Sequence, residues 1–247
     1  TVIEQLESVP RDEWKNLPPG FDDSDRQPWR FRRRLSIARR PLVRLGSGED
    51  ADILVAPGLV RECLTATVGN MYDGSYDAPR LSSSNMRRWA GKMANERGHA
   101  FQEEVAAELS RLGWSVRTEV KFGEILGRDP EDDPGDIDVL GWRSDGRVLL
   151  LECKQLQLAK TPSEVAKQLA NFRGTTNDRG KPDRLAKHLN RWTLARTNPS
   201  PFSAFLGITD PSIEAGLVFS ITVPMQFAVD RMSEKLWVGT TADLITL

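Results

Sequence analysis

Gly135-Asp-Ile-Asp-Val-Leu-Gly-Trp-Arg-Ser-Asp-Gly-Arg-Val-Leu-Leu-Leu-Glu-Cys-Lys154 is the stretch on which the fold turns. Its first part, Asp136 to Gly141, alternates polar and apolar residues, and its last part, Arg147 to Cys153, is an apolar run ended by a carboxylate. Both read as strands. Ser144-Asp145-Gly146 between them is a tight turn, which predicts an antiparallel hairpin. Residues two apart in a strand share a face, so Asp138 on the first strand and Glu152 and Lys154 on the second are expected to project from one side of the sheet.

Two carboxylates beside an apolar interior repel each other and lose hydration, and a divalent cation with hard oxygen ligands is the natural compensation. On this reading Asp138 and Glu152 hold Mg²⁺ or Mn²⁺, and the Cys153 carbonyl supplies a further oxygen. Lys154 stands beside a water on the metal and orients it for attack on a phosphodiester.

Asp138 followed by Glu152-Cys153-Lys154 resembles the core motif of the PD-(D/E)XK nuclease superfamily. The Gly-acid-Ile-Asp form before an apolar strand ending in Glu-x-Lys is similar to its Holliday junction resolvase-like branch, where the second acid binds metal. That favours Asp138 over Asp136, which is left as an outer candidate. The resemblance implies an α/β, restriction endonuclease-like core: a central mixed sheet flanked by helices. It also implies a metal-dependent deoxyribonuclease with DNA as its partner.

The order of elements around the hairpin agrees with that expectation. Gly98 to Gly113 carries Phe101, Val105, Ala106, Leu109 and Leu112 at helical spacing, and Trp114 to Phe122 alternates as a strand. In the resolvase-like pattern this helix contributes a further acid, but the matching position holds Gln102, a departure, with Glu103 next to it. Both are accessory candidates, and a solvated helix face is the simpler reading of Glu103 and Glu104. Asp129, Glu131, Asp132 and Asp133 form an acidic loop before the first strand.

Beyond Lys154, Thr161-Pro162-Ser163-Glu164 predicts a helix start, with a threonine cap, an early proline and a capping-box glutamate. Gln168 and Phe172 on this helix resemble the Gln-x-x-x-Tyr element of exonuclease-type members, with Phe in place of Tyr. That makes Gln168 a third accessory candidate, although a surface amide and a core aromatic explain the pair more simply. A second helix, Asp183 to Thr197, places Arg184, Lys187, His188 and Arg191 at neighbouring positions, a candidate DNA-backbone stripe. Leu217 to Val223 alternates as a strand, Pro224 to Asp230 reads as a loop or short strand, and Leu236 to Thr240 as another strand.

Residues 1–93 read as an N-terminal arm with a small β-containing subdomain, and 94–247 as the nuclease-like domain. The arm region holds the densest basic segment, Arg30, Arg32, Arg33, Arg34, Arg39, Arg40 and Arg44, either a phosphate-contacting surface or, more plainly, a solvated strand face or a pairing surface for the acidic loop near Asp132. Within it, Ile53 to Val55 suggests a strand, Leu64 to Val68 a short helix, and Asn85 to Asn95 a separate helix.

Composition narrows the class. A 247-residue chain with 39% hydrophobic content can bury a core, and its net charge of −1 excludes a generally basic nucleic-acid binder, so any phosphate-binding surface is local. No apolar run reaches membrane-span length, which points to an intracellular, cytoplasmic protein without a membrane partner. The two cysteines, Cys63 and Cys153, read as buried thiols, and two histidines do not make a zinc cluster. The start at Thr1 suggests a processed chain or a fragment of something longer, and membership of a multi-protein complex or a homo-oligomer is compatible with the sequence. The alternative to a nuclease is a catalytically inactive module of the same fold that binds nucleic acid or a protein partner; Gln102 is its main support.

Overall fold

The computed structural model describes residues 2–9, 15–19, 37, 39–46, 48, 50–72, 83–127, 134–156, 162–176, 180–229 and 236–247. The arginines at 30 and 32–34, the acidic loop at 129–133 and the threonine cap at 161 lie outside them. The chain divides into two compact units, Thr1–Ala94 with Lys160–Glu164, and Asn95–Ala159 with Val165–Leu247.

The first unit contains helix α1 (Val2–Leu6), a two-stranded antiparallel ribbon of β1 (Leu42–Leu45) and β2 (Asp52–Val55), and helix α2 (Pro57–Tyr72). Arg44 pairs with Glu7 and Arg40 donates to the Glu4 and Glu7 carbonyls, so these arginines bind the N-terminal turn of the chain. Helix α2 is longer than the short helix expected at 64–68, because Pro57 starts it at the first-turn position that proline tolerates.

Helix α3 (Ser84–Arg111) is a single 28-residue element where the sequence suggested two. Gly98 does not break it, since a lone glycine costs only about 1 kcal/mol in a helix interior. It runs into the second unit, whose five-stranded mixed sheet has the order β3-β4-β5-β6-β7. Strands β3 (Ser115–Lys121), β4 (Asp136–Trp142) and β5 (Arg147–Lys154) pair antiparallel, while β6 (Ser212–Phe219) and β7 (Leu236–Thr240) add in parallel. The tight turn is present: Gly146 has φ +89°, and the Arg147 amide donates to Asp145 Oδ1 at 3.1 Å.

Alternation along β5 divides the interior into two layers. Val148 and Leu150 face one core with Phe122 and Ile125 of α4 (Phe122–Leu126), Leu185, Trp192 and Ala195 of α6 (Arg184–Thr197), and Phe202 of α7 (Ser200–Leu206). Leu149, Leu151 and Cys153 face the other, with Phe101, Val105, Ala106 and Leu109 of α3 and Leu244 of the closing 3₁₀ turn (Thr241–Thr246). Helices therefore cover both faces, as expected for the fold class.

Four expectations need correction. The strand placed at 217–223 is β6 at Ser212–Phe219, buried on both sides from Ala215 to Phe219 because it lies between parallel neighbours; the alternation read at its end belongs to the exit loop. Pro224 to Asp230, read as loop or strand, contains helix α8 (Met225–Val229). Helices α4 and α7 were not foreseen; each is short and ends on a left-handed glycine, Gly127 and Gly207. The helix read as starting at Thr161 and carrying Gln168 and Phe172 is α5 (Pro162–Ala170), so Phe172 lies beyond its end.

Candidate active site

Strand register brings the acids together. Val139 lies opposite Leu151, so Asp138 and Glu152 occupy the next facing positions, but the β4–β5 ladder stops at Val139 while β5 continues to Lys154 along β6. On its other side the β3–β4 register passes over Asp138 and Glu119, and Glu119 has φ +53°. Asp138 thus sits where β4 parts from β5 and where its pairing with β3 is locally interrupted before resuming at Ile137. Its side chain takes over the interrupted bonding: Oδ2 accepts the Cys153 amide at 2.7 Å.

The ammonium of Lys154 joins the two acids. Nζ lies 2.6 Å from Glu152 Oε1 and 3.2 Å from Asp138 Oδ2. Burial alone would lower the lysine's pKa; the neighbouring Glu152 and Asp138 carboxylates outweigh that and hold it above its ordinary value, so it stays charged. Glu152 and Lys154 lie on the α6 side of the sheet, because even-numbered positions of β5 face that layer, and Asp138 of β4 meets them there through Lys154.

Helix α6 closes Glu152 from above. Asp183 caps it, accepting the Ala186 amide at 2.8 Å, and its apolar face seats it over the sheet. Arg191 pairs with Glu152 Oε2, and His188 Nδ1 lies 3.9 Å from the same oxygen. His188 is 2% exposed, and burial, helped by the Arg191 charge, pushes its pKa down to about 3, so the imidazole is neutral.

This placement corrects the stripe read on α6. Arg184 and Lys187 are exposed, but His188 and Arg191 are buried against Glu152 and do not belong to a surface face. The signal was available: 188, 191 and 195 follow one another at helical spacing, and buried Ala195 continues the line. An arginine in line with an alanine and a tryptophan on an apolar face is more consistent with an internal ion pair than with DNA contact.

The remaining candidates fall elsewhere. Cys153 enters through its main chain; its thiol belongs to the opposite layer, and burial, then the Asp138 charge, push its pKa well up, leaving it protonated. Glu103 is exposed and accepts the Thr118 hydroxyl at 3.1 Å, outside the cluster. Gln102 is half-buried, its Oε1 enclosed without a hydrogen-bond partner, and no bond links it to the acids. Gln168 is half-buried on α5, and Phe172 is a core residue packed edge-on against Phe219 at 5.4 Å. Asp136 is exposed at the start of β4.

Two carboxylates converge on a positive charge here, which is the arrangement a hard cation needs. Mg²⁺ is commonly held by one or two carboxylates, with waters and substrate oxygens completing its shell. Among the described residues no group of three or more His, Cys, Asp and Glu side chains is placed to hold a metal. The cluster's bonds to Asp138 fall on Oδ2 and leave Oδ1 to a cation, whereas both Glu152 oxygens are engaged. The donor set fits Mg²⁺ or Mn²⁺ once one contact to Glu152 yields.

The fold and this cluster define an α/β protein with a mixed sheet and a partly buried acid–lysine group at the open end of a hairpin. The chain belongs to the Upx-like family of anti-phage proteins, whose sequence model matches residues 1–245. Neither the curated proteins nor the solved structures gave a match. Family membership points to a role in defence against phage. Among the described residues, no helix is long and apolar enough to cross a membrane.

Proposed function

We propose that this protein is a metal-dependent nuclease that hydrolyses phosphodiester bonds in DNA, and that phage DNA is its target. One observation carries the reading: Lys154 bridges Asp138 and Glu152 where β4 and β5 part, so that two acids and an ammonium share one point at the end of the central strands. Such a cluster is costly to bury, and a structural ion pair alone is a weak reason to keep it.

In this reading Asp138 and Glu152 hold Mg²⁺ or Mn²⁺. The cation supplies Lewis-acid polarisation of the phosphodiester and neutralises its charge. Lys154 remains protonated, so it acts as a fixed positive charge beside the reacting phosphate, stabilising the charge that builds up in the transition state. It does not serve as a base while both acids flank it. The Asp138–Cys153 bond holds the aspartate where the strands part, which limits reorganisation during the reaction. Arg184 and Lys187, exposed on α6, are the cations for the DNA backbone.

A second reading, an inactive module that binds nucleic acid or a protein partner, is favoured by the two cations already on Glu152 and by Gln102 standing where a third acid is expected. Labelled linear, circular and single-stranded DNA incubated with Mg²⁺, Mn²⁺ or EDTA separates the two. Wild type is expected to cut in metal and not in EDTA, with Asp138→Ala, Glu152→Gln and Lys154→Ala each at least about 100-fold slower. Binding without cutting by wild type under all metal conditions would leave the inactive module.

A further inference from the structure

Glu152 carries a second cation that a metal site does not need. Arg191 donates to its Oε2 and, 3.4 Å away, to the Pro134 carbonyl; a Cβ placed on Gly135 would lie 3.4 Å from Arg191 Nη1. The guanidinium is therefore wedged between Glu152 of β5 and the backbone that leads into β4, and Arg191 as a residue is 7% exposed. It holds the glutamate against the segment that presents Asp138.

The charges also balance. Asp138 and Glu152 are matched by Lys154 and Arg191 with no metal present. A balanced cluster has little net attraction for a further double positive charge, and a cation that needs Glu152 Oε2 must displace the guanidinium first. A phosphodiester arriving with the metal brings negative charge and restores the balance.

We propose that Arg191 is a resident counter-ion of Glu152: it positions the carboxylate in the metal-free protein and competes with the divalent cation for Oε2, so that metal is taken up together with an anionic phosphodiester. This rests on the metal-site reading above. Arg191 is a positioning residue here, since it acts through Glu152. The site is thereby assembled before metal arrives, yet stays weak for metal until a phosphodiester is bound.

Mn²⁺ uptake by the full chain, read from loss of the free-ion electron paramagnetic resonance signal, tests this in wild type, Arg191→Gln, Arg191→Lys and Arg191→Gln combined with Glu152→Gln. Arg191→Gln is expected to bind Mn²⁺ at least about tenfold more tightly than wild type, because the competing charge is gone. Arg191→Lys should lie between them, and the double variant should lose the gain. Adding a short DNA duplex should tighten Mn²⁺ binding to wild type more than to Arg191→Gln. Cooperative melting in EDTA identifies which variants are folded, and Arg191→Lys keeps the comparison if the glutamine variant is not.

Unchanged or weaker Mn²⁺ affinity in a folded Arg191 variant overturns the counter-ion. If wild type still cuts DNA in that case, the nuclease reading survives alone. Mn²⁺ uptake gained in Arg191→Gln without cleavage by any variant supports the counter-ion and removes the nuclease. Absence of uptake in every variant removes both.

Discussion

Neutral His188 is the residue whose burial has a direct consequence in solution. Its pKa of about 3 lies well below the ordinary histidine value of 6.5, since burial and the Arg191 charge disfavour the imidazolium. The sign follows from proton counting: between these two values the unfolded chain binds a proton that the folded chain does not. Stability is therefore complete above about pH 6.5 and falls as the pH drops towards 3, by about 1.4 kcal/mol per pH unit from this group. In metal-free buffer, urea midpoints are expected to decline steadily from pH 7 to pH 4, and His188→Gln should remove most of that slope. Equal acid sensitivity in both proteins would assign it to other groups. The charges of Arg191, Asp138 and Lys154 act on the ring and Glu152 Oε2 lies 3.9 Å from it, so the comparison is made with all four unchanged.

Helix α6 is the element that turns a hairpin with acids into a closed cluster, and Asp183 is what holds its start. One carboxylate oxygen accepts the Ala186 amide at 2.8 Å; the other accepts those of Arg173 at 2.9 Å and Thr175 at 3.2 Å. The cap therefore also ties the helix to the end of the α5 segment. Asp183→Ala should cost about 2 kcal/mol or more by urea denaturation, at or above the upper end for a single cap, because three amides lose an acceptor. Asp183→Asn should recover at least half, since its amide oxygen can still cap. A loss below about 0.5 kcal/mol for the alanine variant would mean that the packing of Leu185, Trp192 and Ala195 alone seats the helix.

For the molecule as a whole, near-zero net charge means that the DNA binding proposed above would have to come from local cations. Arg184 and Lys187 are exposed on the helix that crosses the acid cluster, where they can follow a backbone without taking part in the core. Replacing both with alanine is expected to weaken DNA binding and to reduce the slope of log K against log salt by about two, one counterion per lost contact. Melting temperature should be unchanged. An unaltered salt slope would remove Arg184 and Lys187 from the proposed DNA contact.

Local periodicity was enough to find the helix over Phe101 to Leu109, the hairpin of β4 and β5, the α6 segment, and the shared face of Asp138, Glu152 and Lys154. Each depends on spacing along a single element or across one tight turn, and such spacing is written in the chain itself. Tertiary contact decided the rest. Burial on both sides, from parallel neighbours, set the limits of β6; the short helices α4, α7 and α8 hold their shape through packing that no local pattern announces. The direction of Arg191 belongs to the same class. In sequence it is one of several basic residues on a helix, and only the packing of that helix over the sheet, where Trp192 bonds to Ile213 of β6, turns its charge inward to Glu152, a carboxylate 39 positions away.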